Sequence, residues 1–292
     1  MKLHFLQTIW SDIIILQDGD RYAMVDTGTE DQFPMIRDYL NELGVRELEF
    51  ILLTHFHCDH YGSIPAILEA FHVKKTYLKA YSGLDAFTSA GKPADDAYRA
   101  DEMRKYLEME KLAQEKSVLI HAEDVPEIPF DSCTLKLYNN TNSVRTIYED
   151  ASCPETWHRF TLTENQNSLA VWTNIHGASV FLGGDLQDAP SSHPLANYVN
   201  RRVAREIGKK IDLYKAPHHG TRDTATAEAL SVYQPSIVIV TNGENWFPNY
   251  DTEALLRQAN PDIRLYTTEN QTVIAEIDEN GKILMTGEER RL

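Results

Sequence analysis

Contiguous apolar runs alternate with amphipathic stretches along most of the chain. Ile13-Ile14-Ile15-Leu16 reads as a buried strand, Asp18-Gly19-Asp20 supplies turn residues, and 22–25 returns as a second strand of a hairpin. Within 31–43 the residues Phe33, Ile36, Leu40 and Leu43 recur at helical spacing, and Gly44 stands where a helix would end. A strand over 48–53 follows, and then a helix over 62–71 with Ile64, Ile67, Leu68 and Phe71 on its inner face. The rhythm changes between 81 and 130. Residues 94–116 are rich in Ala, Glu, Lys, Met and Leu and contain neither Gly nor Pro, which predicts one long helix, with Tyr98, Met103, Tyr106, Met109 and Leu112 at its less polar positions. Pro126 and Pro129 close the segment. We read the chain as a single domain, 1–292, with 81–130 as a helical insertion whose role as surface helix, lid or dimer arm the pattern leaves open.

Residues 139–155, rich in Asn, Thr, Ser and Asp, suit a connection between two halves. Strands are then expected at 156–163, 168–172 and 179–182, with a turn at 174–177 between the last two. Helices over 195–207, 225–233 and 252–259 alternate with strands over 211–214, 237–240, 264–266 and 272–277. A turn at 278–281 leads to a last strand over 283–285. This alternation of strand and helix places the chain in the α/β or α+β class.

The chemistry concentrates in His55-Phe56-His57-Cys58-Asp59-His60, three imidazoles and a carboxylate straight after an apolar strand. In a loop at a strand end, His55 and His57 can face one way while Asp59 and His60 face another. Imidazole nitrogen and carboxylate oxygen are zinc ligands, and two adjacent ions are a common device for activating water against an ester. Asp26, in Asp26-Thr27-Gly28, is a candidate to orient that loop by accepting an imidazole N–H. Gly183-Gly184-Asp185 follows another apolar strand, where glycines let the backbone pass close to a metal and the carboxylate can bridge two cations. Pro217-His218-His219-Gly220-Thr221 supplies a second histidine pair at a strand end.

The spacing of these elements resembles the metallo-β-lactamase superfamily, whose HxHxDH signature matches His55 to His60. The His-His-Gly-Thr element and the Glu164-Asn165-Gln166-Asn167-Ser168 stretch are similar to the metallo-β-lactamase-like domain of ComEC-type competence proteins. The resemblance implies a four-layer αββα metallo-β-lactamase sandwich with a helical insertion. It implies two divalent ions, Zn2+ or alternatively Mn2+. Carried over, His55, His57 and Asp185 hold the first ion, and Asp59, His60, His218 and Asp185 the second, with His219 as a further ligand or a supporting group. Water activated between the ions would attack phosphorus or a carbonyl carbon, with Asp59 orienting it and His219 as general acid. Many relatives supply one more histidine to the first ion, but here Asn165 stands in that stretch, and Glu164 and His158 are substitutes on which we place no weight. Asn165, Asn245 and Trp246 are candidates to bind substrate. The histidine that ComEC-type proteins carry near Asn245-Trp246-Phe247-Pro248 is missing.

Composition narrows the substrate. With 42% hydrophobic and 25% charged residues the chain is ordinary for a globular protein, but its net charge of −16 disfavours tracking along duplex nucleic acid and favours a small molecule or short phosphate ester. No run of about 20 apolar residues suggests a membrane span, and no signal-peptide pattern stands at the start, so a cytoplasmic protein is expected. Three cysteines, Cys58, Cys133 and Cys153, are too few and too irregularly spaced for a disulfide framework. The leading expectation is a phosphoesterase or phosphodiesterase. Hydrolysis of a lactone, thioester or β-lactam is the alternative, while a di-iron redox role, disfavoured by Cys58 within the motif, and a purely structural metal rank below both.

Overall fold

Ile13 to Leu16 are apolar at every position, a pattern suited to a strand covered on both faces. In the computed structural model Ile14 and Leu16 enter a core between two sheets, while Ile13 and Ile15 pack under helices on the outer side. The described residues are 1–83, 85, 88, 92–141, 164–187, 198–221, 224, 226–243 and 252–290.

The strands are β1 (Lys2–Phe5), β2 (Ile13–Asp18), β3 (Arg21–Thr27), β4 (Glu47–Leu52), β5 (His72–Leu78), β6 (Val118–His121), β7 (Glu127–Phe130), β8 (Cys133–Tyr138), β9 (Ala170–Ile175), β10 (Ala178–Leu182), β11 (Leu213–Lys215), β12 (Ile237–Val240), β13 (Arg264–Thr267), β14 (Val273–Ile277) and β15 (Ile283–Thr286). An eight-stranded sheet runs β15-β14-β1-β2-β3-β4-β5-β6, and a seven-stranded sheet runs β13-β12-β11-β10-β9-β8-β7. Each is antiparallel in one part and parallel in the other: β3 to β6 are parallel in the first sheet, β10 to β13 in the second. The helices are α1 (Phe33–Glu42), α2 (Cys58–Tyr61), α3 (Ile64–Ala70), α4 (Asp96–Lys116), α5 (Tyr198–Ile207), α6 (Ala227–Tyr233) and α7 (Thr252–Ala259).

Three apolar clusters give the order of layers. Leu3, Phe5, Val25, Leu52, Leu135, Val171, Val180 and Ile239 lie between the sheets. Ile36, Leu40, Ile64, Ile67, Tyr106 and Met109 seal α1, α3 and α4 onto the first sheet, and Val203, Leu230 and Leu256 seal α5 to α7 onto the second. Burial of each such side chain contributes about 1.5–3 kcal/mol. The result is the expected αββα sandwich.

The 81–130 segment is more integrated than the pattern suggested. Asp95 caps α4 by accepting the Tyr98 N–H at 2.8 Å, and Tyr106, Met109 and Ala113 are buried on the inner face. Beyond the helix, β6 pairs with β5 at the edge of the first sheet and β7 pairs with β8 at the edge of the second. The expected strand at 156–163 and residues 195–197 of an expected helix lie outside the described residues. Among the described residues, no helix is long and apolar enough to cross a membrane.

Candidate metal centre

The carboxyl ends of β3, β4, β10, β11 and β12 and the start of β2 converge on one cluster. After β10 the chain turns through Gly184 (φ 51°), where an added Cβ would stand 2.9 Å from Thr54 Cβ and 3.0 Å from the Leu169 carbonyl. Only glycine lets Asp185 come this near to the His55 loop. After β11, His218 and His219 are both left-handed (φ 47° and 55°), a conformation that costs about 1–2 kcal/mol per residue and turns the two rings apart. Asp26 is also left-handed (φ 57°), so strained backbone collects at the cluster.

Asp26, buried, holds two of the histidines. Its Oδ1 accepts the Thr54 N–H at 2.8 Å, and its Oδ2 accepts the Thr54 hydroxyl at 2.7 Å and His60 Nδ1–H at 2.8 Å. Because the Thr54 hydroxyl donates to Asp26, its oxygen accepts from His55 Nδ1 at 3.1 Å. The Nε2 atoms of His55 and His60 therefore carry lone pairs into the cluster. His219 is held in the same way from the other sheet: its Nδ1 lies 3.1 Å from Asp12 Oδ1 and 3.0 Å from Thr241 Oγ1, which donates to Asp12 at 2.6 Å. Lys215, fully buried, pairs with the other Asp12 oxygen.

The lone pairs then meet. His60 Nε2 is 3.1 Å from Asp185 Oδ1, and neither atom has a hydrogen-bond partner among the described residues. His219 Nε2 stands 3.3 Å from Asp59 Oδ2 and 3.5 Å from Asp185 Oδ2. Acceptors facing one another at this range repel unless a cation lies among them, and a buried imidazole–carboxylate set fits zinc or a harder divalent ion. Asp12, His60, Asp185 and His219 can together hold a metal ion. Asp12 reaches the cluster from behind the His219 ring, with both of its oxygens engaged as described.

The other side is more open. His57 is 24% exposed; its Nδ1 is 3.1 Å from His55 Nε2 and its Nε2 is 3.3 Å from Asp85 Oδ1. His55 Nε2 lies 3.8 Å from Asp185 Oδ2. His218 Nε2 is 3.9 Å from Asp185 Oδ2 and 3.3 Å from Asn165 Nδ2. Glu164 accepts from the Ser82 N–H and hydroxyl, the Phe56 N–H and Asn167, so its carboxylate braces the loop.

Without a metal, protons take the place of cations. Burial opposes charge on His60, but the carboxylates of Asp185, Asp26 and Asp59 outweigh it and hold its pKa well above the usual range. Burial likewise opposes charge on His57 and His219, yet Asp85 raises the first, and Asp185 and Asp12 the second, to about 9. Burial lowers His55 well below the usual value and His218 to about 4. Burial works against ionised Asp185, but His219, His60 and His218 hold its pKa far below normal.

Of the residues expected from the sequence, His55, His57, Asp59, His60 and Asp185 come together. Of the second histidine pair it is His219 that enters the four-residue cluster, whereas His218 turns toward Asn165. Asn245, Trp246 and His158 lie outside the described residues. Asp12, Lys215 and Asp85 were not anticipated. A cavity of about 510 Å³ opens over the cluster, with Trp10, Tyr61, Tyr98, Glu102, Asn165 and His218 among its walls.

Residues 11–113 match the family described as Metallo-beta-lactamase superfamily, and they carry Asp12, Asp26 and the His55–His60 loop. Over that stretch the chain is similar to the metallo-β-lactamase superfamily. The chain is also 23% identical over 215 residues to ComE operon protein 3 of Bacillus subtilis (strain 168), an alignment covering 71% of this chain and 21% of that one. The chain thus spans about a fifth of the length of that relative. A crystal structure of the metallo-β-lactamase fold protein YhfI from Bacillus subtilis superposes with a TM-score of 0.53 at 9% identity, covering 98% of this chain and 99% of that one, which marks a shared fold.

Proposed function

We propose that the chain is a metal-dependent hydrolase of a small phosphate ester or phosphodiester, working with two divalent ions. The observation that carries this reading is the convergence of His60, His219, Asp59 and Asp185 lone pairs beside the His55–His57 pair. We take His60, His219, Asp59 and Asp185 as holding one ion, and His55, His57 and Asp185 the other. Zinc suits this donor set best, with manganese as the alternative where imidazoles are fewer. When bound, such ions supply Lewis acidity and bring the pKa of a water toward neutrality.

The chain's own groups do the rest. Asp59 reaches the cavity, where its carboxylate can orient an incoming water. His219 acts in this reading as a ligand and not as a general acid, because Asp12 engages one ring nitrogen and the other faces Asp59 and Asp185. His218, at the cavity wall beside Asn165, is the better candidate to meet substrate. Asn165 at the place of a third histidine, together with the likeness to ComE operon protein 3, favours a phosphoester. The cavity volume and the charge of −16 favour a small substrate over duplex nucleic acid. The free thiols Cys58 and Cys133 accord with a reducing, cytoplasmic setting. We take the insertion proper as ending with α4, which walls the cavity, because β6 and β7 are strands of the two sheets.

Bis(p-nitrophenyl) phosphate offered to metal-stripped protein reloaded with zinc or manganese tests the reading. Release that requires the metal and is lost in His57→Ala supports it. No release from a protein that binds two ions would move the assignment to carboxyl esters and lactones.

A further inference from the structure

Asp85 lies between β5 and α4 and is 2% exposed. Its Oδ1 accepts the Glu164 N–H at 3.0 Å and its Oδ2 accepts the Tyr81 hydroxyl at 2.9 Å. Its backbone carbonyl accepts from Arg99 Nη1 at 3.0 Å, and the same nitrogen reaches the Ala94 carbonyl at 3.1 Å. Thus α4 fixes the backbone of Asp85 while Tyr81 and Glu164 fix its carboxylate. The remaining contact is His57, whose Nε2 is 3.3 Å from Asp85 Oδ1 while its Nδ1 faces His55. A carboxylate on the far nitrogen of an imidazole holds the proton there, leaves the near nitrogen as a lone pair, and stops the ring from turning.

We propose that Asp85 is a positioning residue for His57, and that the helical insertion thereby sets how tightly the His55–His57 side holds its metal ion. The inference rests on the reading of His57 as a metal ligand. It gives that ring what Asp26 gives His60 and Asp12 gives His219, but from a different source. Asp26 and Asp12 stand on the sheet framework; Asp85 stands on a segment tied down by a helix. Asp85 is not itself placed as a ligand, because the imidazole ring of His57 stands between it and the cluster. Arg99, remote from the cluster, becomes a second determinant of the same affinity.

The test uses the full chain, wild type and the variants Asp85→Asn, Asp85→Ala and Arg99→Ala, each stripped and titrated with zinc against a chromophoric chelator. Long-range 15N–1H spectra of the metal-free proteins, recorded above pH 9 where the imidazole is neutral, report the His57 tautomer. The expected result is a wild type that binds two ions, and Asp85→Asn and Asp85→Ala proteins in which one ion is weakened about 10–100-fold while the other is unchanged. His57 should lose its fixed proton on Nε2 in both variants, and Arg99→Ala should shift the same ion in the same direction by a smaller factor. Thermal unfolding of the metal-free proteins identifies any variant that fails to fold, and Arg99→Ala, which keeps the carboxylate, then carries the test. Unchanged affinity for both ions, with an unchanged tautomer, would overturn the proposal and leave the metal centre standing. A wild type that binds no ion would overturn the centre and this inference together.

Discussion

His57, at the start of α2, and His60, within it, stand three residues apart, yet their rings are held by different parts of the molecule. His60 is fully buried against Asp26, which lies in β3 and also steadies His55 through Thr54. His57 is partly exposed and rests on Asp85, whose own position depends on Tyr81, Glu164 and Arg99. A ring held by the sheet is organised whenever the chain is folded. A ring held by a segment tied to α4 is organised only when that helix is docked. One half of the centre should therefore bind metal tightly as a property of the fold, and the other should be adjustable.

The severest way to break the comparison is to remove what both halves share. Asp185→Ala should lower turnover in the proposed metal-dependent phosphodiester assay by about 1,000-fold or more, because several kcal/mol of charge stabilisation go with the ions. Residual activity near that of wild type in steady-state assays would exclude a common bridging carboxylate. Next comes the buried support of the framework half. Lys215→Met leaves Asp12 ionised and buried without its partner, and denaturant unfolding should register a loss of about 3–5 kcal/mol. Lys215→Met combined with Asp12→Asn should recover part of that loss.

Asp26→Asn sharpens the contrast with Asp85. It should weaken both ions about 10–100-fold in chelator competition, since Asp26 orients His60 directly and His55 through Thr54. The pH dependence has a definite sign. His57 and His219, raised to about 9 in the metal-free protein, are protonated below that pH, so an entering ion must displace their protons. Metal affinity should rise with pH up to about 9, by about tenfold per unit for each proton displaced, and titrations in buffers of different ionisation heat should detect the release. The smallest effect belongs to the cavity wall. Tyr98→Ala should raise KM by less than about tenfold and leave kcat within a factor of about two, the scale of one aromatic contact.

Much of the fold was legible because the two patterns that encode it are local. The strand at 237–240 and the helix at 252–259 have the bounds that periodicity gave them. β1, β5 and β8 were not anticipated. β1 is four residues long and draws part of its stability from β14, distant in sequence, and β5 carries Lys74 and Lys75, neither of them buried, in the middle of the strand. The His55–His60 stretch was legible as a candidate site because its residues are consecutive. The groups that support it were not, because they meet only in three dimensions: Asp12 lies 207 residues from His219. The signal for Asp12 was faint, a single acidic residue just before an apolar strand, and Lys215 was a lone cation within an apolar run. His218 and His219 could not be told apart by type, and only in three dimensions does the His219 ring stand nearer to Asp185, at 3.5 Å against 3.9 Å.

Anomalous diffraction from zinc-loaded crystals tests the central claim most directly. A strong peak is expected among His60, His219, Asp59 and Asp185, and a second, weaker one bounded by His55, His57 and Asp185. A peak bounded by His218 in place of His219, or no peak within this cluster from fully loaded protein, would contradict it.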